Sequence, residues 1–442
     1  LKPTAETDVV VVGAGFAGLS AAYELARQGV GVVVLEAEGD MGGLAAGFEV
    51  GGCNLDRFYH HWFTSDEDVL ALVQELGLQD KVIVRPTCTG TYADGRIWNL
   101  STPLELLRFS PLSIFDRIRL GLLVIQARRV RNWMSLEHLT ARDWLIGMCG
   151  ERVFRVVWEP LLRGKFGRHA DAISAVWIWN KLKLRAGSRG PKGEEQLAYF
   201  QGGFLALAHA LGERIHSGGG RILFDSGVRA IEPDGRKWRV STAQGVLAAD
   251  HVLVTTSLPL FSGMIDSWAP RDYIERLGRV RYLANICLVL ELDRPLSETY
   301  WLNVNDVSAP FVGVIEHTNF IPASEYGGRH VVYLTKYLEE SDPVFQMSAD
   351  EIMRLFMPYL RSMFPGLDPG WVLARHLWKA RCSQPVVEKG FSAFMPAESG
   401  PLPGLHLCTM AQVYPEDRGT NYAVRQGLNA GRRIKALCVG SS

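Results

Sequence analysis

Residues 8–36 read DVVVVGAGFAGLSAAYELARQGVGVVVLE, and the order of residue types in this stretch decides the fold. Val9 to Val12 form an unbroken apolar run, the pattern of a parallel strand covered on both faces. A helical repeat follows at once, with Leu19, Ala22, Tyr23, Leu25 and Ala26 as its buried side and Gly29 as its stop. VGVVVLE then reads as a second strand that closes on Glu36, followed by Ala37. Between the first strand and the helix, Gly13, Gly15 and Gly18 make G-x-G-x-x-G around Phe16 and Ala17. The first glycine permits a tight turn, the second lets a pyrophosphate approach the backbone, and the third lets helix pack on strand. The helix N-terminus is thereby aimed at phosphate, and Glu36 is placed to accept hydrogen bonds from a ribose diol. Strand, glycine turn, helix, strand and acid in this order predict a dinucleotide-binding unit.

Working outward, 442 residues with 47% hydrophobic and 21% charged content exceed one ordinary core, so two domains are expected. The formal net charge is zero and no zinc-type spacing occurs, which argues against a nucleic-acid partner. Seven cysteines, Cys53, Cys88, Cys149, Cys287, Cys382, Cys408 and Cys438, are scattered without a C-x-x-C and read as reduced thiols of a cytoplasmic protein. No basic head with an apolar signal core precedes the first strand, and no apolar run approaches the roughly 20 residues of a membrane span. A cytoplasmic location is expected, with peripheral contact to a membrane surface left open.

After Glu36 the chain runs AEGDMGGLAAGFEVGG, where Gly42 and Gly43 offer a second close backbone approach. With this pair in place, the sequence resembles the FAD-dependent superfamily of flavin amine oxidases, protoporphyrinogen oxidases, phytoene desaturases and UDP-galactopyranose mutases. The family's Gly-Gly is usually followed by an arginine, and Leu44 stands there instead. The resemblance implies FAD and an α/β fold: a Rossmann-like FAD-binding domain assembled from residues 1–64, 196–258 and 378–442. A second α+β substrate domain follows from it, with a helical part at 65–195 and a sheet part at 259–377. The block 200–259 matches the return to the FAD domain, which implies that the backbone of Val228 meets adenine; a purely structural strand is the other reading of that residue. In GLHLCTMAQVYPEDRGTNYAVRQGLNAGRRIKAL, from Gly404, a helix is expected to begin near Thr420 or Asn421. The family's use of that helix puts Arg418, Gly419, Thr420 and Asn421 at the isoalloxazine, where free N–H groups and a positive dipole end suit a reduced flavin. No second strand-borne G-x-G-x-x-G occurs, so electrons are expected to pass between the flavin, a small-molecule substrate and a small acceptor.

In the substrate half, PLELLRFSPLSIFDRIRLGLLVIQARRVRNW aligns Ile114, Ile118, Leu122 and Ile125 on one helical side, with Arg108, Arg117, Arg119, Arg128, Arg129 and Arg131 around it. A packed helix with a solvated face is one reading; contact with anionic lipid or an anionic substrate is the other. NKLKLRAGSRGPKGEE (180–195) reads as a mobile loop that closes over a site or as an ordinary surface loop. Lys165, Phe166 and Gly167 resemble a Lys-aromatic-Gly feature of the mutases, while the Glu-Pro-Leu before them resembles protoporphyrinogen oxidases.

NLDRFYHHWFTSD (54–66) places His60 and His61 just past the nucleotide motif, and HWFTSD resembles the mutase loop beside the flavin. The resemblance puts His61 over the isoalloxazine with His60 behind it or toward the substrate. Imidazole titrates near neutrality, so acid-base work by either ring is expected, with two merely satisfied polar side chains as the alternative. Flavin amine oxidases carry a lysine where this chain has Ala284-Asn285. Asn285 hydrogen-bonds but brings no cation, which weakens amine oxidation. Hydride transfer from a small hydrophobic or anionic substrate to the flavin is the expected chemistry. A mutase-like, non-redox reaction on a sugar nucleotide and a flavin-binding protein without turnover are the other two readings. No metal is expected.

Overall fold

The computed structural model describes residues 5–100, 102–190 and 194–439. Ala5–Val12 is central to the first sheet, pairing in parallel with Val32–Leu35 on one side and Val246–Val254 on the other. Arg221–Leu223 extends the array beyond Val32–Leu35. Leu405–Leu407 joins one end of Val246–Val254 in parallel, and the hairpin of Val228–Asp234 and Lys237–Thr242 joins its other end antiparallel. The unbroken valine run follows from this position. Val9 and Val11 enter one apolar core, beside helices Phe16–Arg27, Gly203–Ser217 and Thr420–Val439, while Val10 and Val12 enter the other.

Helix packing is close where glycine allows it. A Cβ on Gly18 would lie 2.0 Å from the carbonyl oxygen of Gly13, and one on Gly427 would lie 2.3 Å from that of Ala17. Gly427 therefore stands level with Ala17, and the seven residues back to Thr420 carry the C-terminal helix about 10 Å past the start of Phe16–Arg27.

The second sheet has the order Val372–Pro385, Tyr282–Leu292, His330–Leu338, Gly313–Glu316, Trp301–Val304, Thr89–Ala93, Arg96–Asn99. Helix Ala349–Met363 covers it through Ile352, Phe356 and Leu360. A small sheet of Trp62–Phe63, Gln196–Phe200 and Val82–Pro86 carries the end of the histidine loop, and Trp62 stacks on Phe204 of helix Gly203–Ser217. The chain thus adopts the expected α/β architecture with a mixed second sheet.

Several local expectations change. The part expected to be helical, 65–195, also supplies the three strands between Val82 and Asn99, because their edges complete the two sheets nearest the cavity. The expected boundary at 378 falls inside the continuous strand Val372–Pro385. The run 180–195 does not start as a loop, since residues up to Gly187 belong to helix Ala175–Gly187; 191–193 lie outside the described residues. In helix Ile114–Arg129 the residues turned inward are Asp116, Leu120, Leu123 and Ala127, and the isoleucine stripe faces solvent. Among the described residues no helix is long and apolar enough to cross a membrane.

Candidate active site

A cavity of about 1240 Å³ runs between the two sheets. Ordinary small-molecule sites occupy about 300–1,000 Å³, so this one has room for a dinucleotide and a further molecule. At one end it is lined by Glu36, Ala37 and Val228, then by Gly13, Gly15, Phe16, Ala17, Gly42, Gly43 and Leu44. His60, His61 and Trp62 line it together with Arg418, Gly419, Thr420 and Asn421. Beyond them are Lys165, Trp177, Lys181 and Arg185.

The turn after the first strand is shaped for a phosphate. Phe16–Arg27 starts at Gly15 with no side-chain cap, and a Cβ on Gly15 would meet only open space. Uncapped first-turn N–H groups facing a cavity suit an anion. Glu36 is buried and oriented by the chain itself: its Oε2 accepts from Ala14 N at 2.7 Å and its Oε1 from Glu38 N at 3.0 Å. Leu44 lines this region without adding a charge. Gly18 does not reach the cavity; its role is the close helix-to-strand packing. Among the described residues, buried Nδ1 of His60 and the hydroxyl of Thr256 have no hydrogen-bond partner, and both residues line the cavity. Unpartnered buried polar atoms along a groove of this length fit a polar dinucleotide.

The histidine loop is held by aromatic packing. His60 stacks on Phe204 with ring centroids 5.6 Å apart, and His61 meets the Tyr300 hydroxyl at 3.1 Å through Nδ1. Trp62 donates from Nε1 to Thr420 Oγ1 at 2.7 Å, which ties the loop to the start of the C-terminal helix. Burial lowers the pKa of both imidazoles to about 3; Arg418 and His61 add to this for His60, and Arg185 and Lys181 for His61. Both rings are therefore neutral at physiological pH. The acid-base role expected for them near neutrality does not match this environment, because low dielectric and neighbouring cations oppose the imidazolium.

Asn285 does not line the cavity. It is buried in its strand, where Nδ2 donates to Thr335 Oγ1 at 2.9 Å and to the Lys336 carbonyl at 3.1 Å, so it stands behind the lining residue Thr335. Asn421 lines the cavity, but its side chain is engaged in holding helix Glu67–Glu75: Oδ1 accepts from Val69 N at 2.9 Å. Arg418 is fixed by Gln384 Oε1 at 3.0 Å and the Tyr337 hydroxyl at 2.9 Å.

Lys165 is a lining cation brought close to a neutral titration. Burial lowers its pKa to about 7, against the pull of Asp417 and with the help of Lys181 and Arg418. Its ammonium lies 3.9 Å from Asp417 Oδ2, 4.8 Å from the Trp177 ring centre and 5.2 Å from that of Tyr337. Lys181 holds Asp417 more tightly, at 2.6 Å. Burial works against the charge on Asp417, yet Lys181, Lys165 and Arg418 together keep its carboxyl well below the usual range. Lys181, Arg185, Asp417 and Tyr337 carry no motif that marks them. One signal was available: Trp177, Lys181 and Arg185 recur at helical spacing and share a face, inside a run whose lysines and glycines read as loop.

Comparisons agree with this geometry. A family model described as flavin containing amine oxidoreductase matches residues 16–435. AofH of Mycobacterium tuberculosis strain H37Rv, a candidate flavin-containing monoamine oxidase, is 30% identical over 271 residues, 57% of this chain and 57% of its own. Mitochondrial protoporphyrinogen oxidase of Nicotiana tabacum is 27% identical over 195 residues, 42% of this chain and 38% of its own. The matches thus span about 57% and 38% of the length of these two curated relatives. Among solved structures, a candidate protoporphyrinogen oxidase from Exiguobacterium sp. 255-15 superposes with a TM-score of 0.77 at 16% identity, covering 98% of this chain and all of that one. Reduced UDP-galactopyranose mutase gives 0.75 at 16% identity, over 98% and 96%. At such identities these two likenesses concern the fold.

Proposed function

The chain belongs to the flavin-containing amine oxidoreductase family, whose cofactor is FAD, and from that premise we propose that it oxidises a hydrophobic substrate bearing an anionic group. The glycine turn and the start of Phe16–Arg27 would hold the pyrophosphate, Glu36 the ribose, Val228 the adenine, and Arg418 to Thr420 the ring end. FAD supplies, when bound, the acceptor for a hydride leaving the substrate.

The observation that carries the reading is the charge at the far end of the cavity. Lys165, Lys181, Arg185 and Arg418 converge there against two carboxylates, Asp417 and the Asp66 that Lys181 also attracts, so cations outnumber acids. Lys181 and Arg185 attract an anionic substituent, and the same field opposes a cationic amine. Trp177, Trp301 and Leu161 give the apolar walls that receive the rest of the substrate and exclude water. His61, neutral and oriented by Tyr300, serves as a hydrogen-bonding group rather than a charged acid. Lys165, close to its protonation midpoint near neutrality, accepts in its neutral form the proton from the substrate atom next to the carbon that gives up hydride, so that a double bond forms between the two.

The test is anaerobic bleaching of the FAD-loaded protein by hydrophobic carboxylic acids, neutral polyenes, sugar nucleotides and alkylamines. Bleaching by the carboxylic acids, weakened by Lys181→Met, is the expected result. Bleaching by alkylamines alone would overturn the substrate class. Turnover of a sugar nucleotide only after dithionite reduction would replace oxidation by a mutase-like reaction.

A further inference from the structure

Helix Ile114–Arg129 has two apolar faces. Leu120, Leu123 and Ala127 pack inward, while Ile114, Ile118, Leu122 and Ile125 lie half exposed on the opposite side. Phe115 beside them is 73% exposed, and Leu104 of the preceding helix 58%. A soluble surface seldom groups such side chains. The presentation is rigid: Arg117 donates to the carbonyls of Leu112 and Leu107 and so ties the two helices into one hairpin.

We propose that this hairpin seats the protein on the surface of an anionic bilayer. The charge around the stripe selects that occupant. Arg108, Arg128, Arg129 and Arg131 surround it, all four are exposed, and none forms an ion pair among the described residues. The acid nearest the stripe in sequence, Asp116, is buried on the inward face with Arg119 and Arg152 beside it. An isologous dimer through the same face would bring the arginine rim against its own copy, which like charges oppose. Anionic headgroups instead neutralise the rim while the isoleucines enter the acyl boundary. Helix Ala175–Gly187 joins this surface to the cavity: Trp179 Nε1 donates to the Ala127 carbonyl at 2.9 Å, and Ile178, Lys181 and Leu182 on its other side line the cavity. A hydrophobic substrate dissolved in the bilayer then lies one helix away.

The experiment is co-sedimentation of the FAD-loaded protein with vesicles of equal parts phosphatidylglycerol and phosphatidylcholine, and with pure phosphatidylcholine. The wild type should bind the anionic vesicles about tenfold or more tightly than the zwitterionic ones, and less at high salt. A variant with Phe115→Gln, Ile118→Gln and Leu122→Gln, and another with Arg128→Glu and Arg129→Glu, should each lose about tenfold or more while keeping flavin content and thermal midpoint. Absence of wild-type binding, or binding that survives both variants, overturns the proposal. So does a wild-type dimer in solution that the glutamine variant converts to monomer, which would assign the stripe to a second copy of the chain.

Discussion

Replacing Lys165 by methionine should change how stability responds to pH more than it changes stability at any one pH. In the unfolded chain this amine is protonated up to about pH 10.4; in the fold, burial brings its pKa down to about 7. Below pH 7 both states carry the proton, and the lysine contributes no slope. Between pH 7 and its unfolded value the unfolded chain binds one proton more, so wild-type stability rises with pH by about 1.4 kcal/mol per unit from this group. From about pH 7 to about pH 9 that amounts to about 2 kcal/mol, a sizeable part of a typical stability of about 5–15 kcal/mol. Methionine keeps the length of the side chain against Trp177 and Tyr337, and Asp417 keeps its 2.6 Å contact with Lys181, so no buried carboxylate is orphaned. The assay is urea unfolding of FAD-loaded wild type and Lys165→Met at steps from pH 6 to pH 9. The wild type should gain on the variant by about 1.4 kcal/mol per unit above pH 7 and run parallel to it below. Curves that stay parallel throughout would refute the argument, since the amine would then titrate in the fold as it does in water. The same variant should lose the inflection near pH 7 in the rate of anaerobic flavin reduction.

Gly18→Ala places a methyl 2.0 Å from the Gly13 carbonyl, an oxygen fixed in the glycine turn. Its cost of about 1–3 kcal/mol should appear as a lower thermal midpoint together with reduced bound flavin, and unchanged values of both would count against the close packing. Leu44→Arg restores a cation beside the glycine turn. A charged hydrogen bond of about 1.5–3 kcal/mol should slow FAD release roughly tenfold or more, and an unaltered release rate would show that the side chain does not face phosphate. His60→Ala and His61→Ala should each shift the flavin spectrum, yet leave the pH dependence of flavin reduction between about pH 5 and pH 8 in place, because both rings are already neutral there. Loss of a titration in either variant would contradict the burial argument, and an unaltered spectrum and reduction rate in both would remove the histidines from the site.

Local requirements made part of this protein legible before any fold was known. The turn between Val12 and Phe16 works only with glycine at Gly13 and Gly18, and the valine run can only be a strand covered twice, so the residue types alone announce the nucleotide end of the site. The position of His60 and His61 shortly after that motif likewise pointed to the cavity they line. Their charge state did not follow, because it is set by burial and by Lys181, Arg185 and Arg418, more than a hundred residues away. Asn285 stands where the family resemblance expects a lysine, yet its strand turns it behind Thr335. The isoleucine stripe shows the same division. Periodicity determined that Ile114, Ile118, Leu122 and Ile125 share one side of a helix, since 3.6 residues per turn is a property of the backbone. Which side meets the core was decided only in three dimensions, where Leu120, Leu123 and Ala127 fill the space against helix Ala175–Gly187 and leave the longer stripe outside. Sequence spacing specifies what lies together on one element; long-range packing alone specifies what that element faces, and therefore which charges and which solvent its side chains meet.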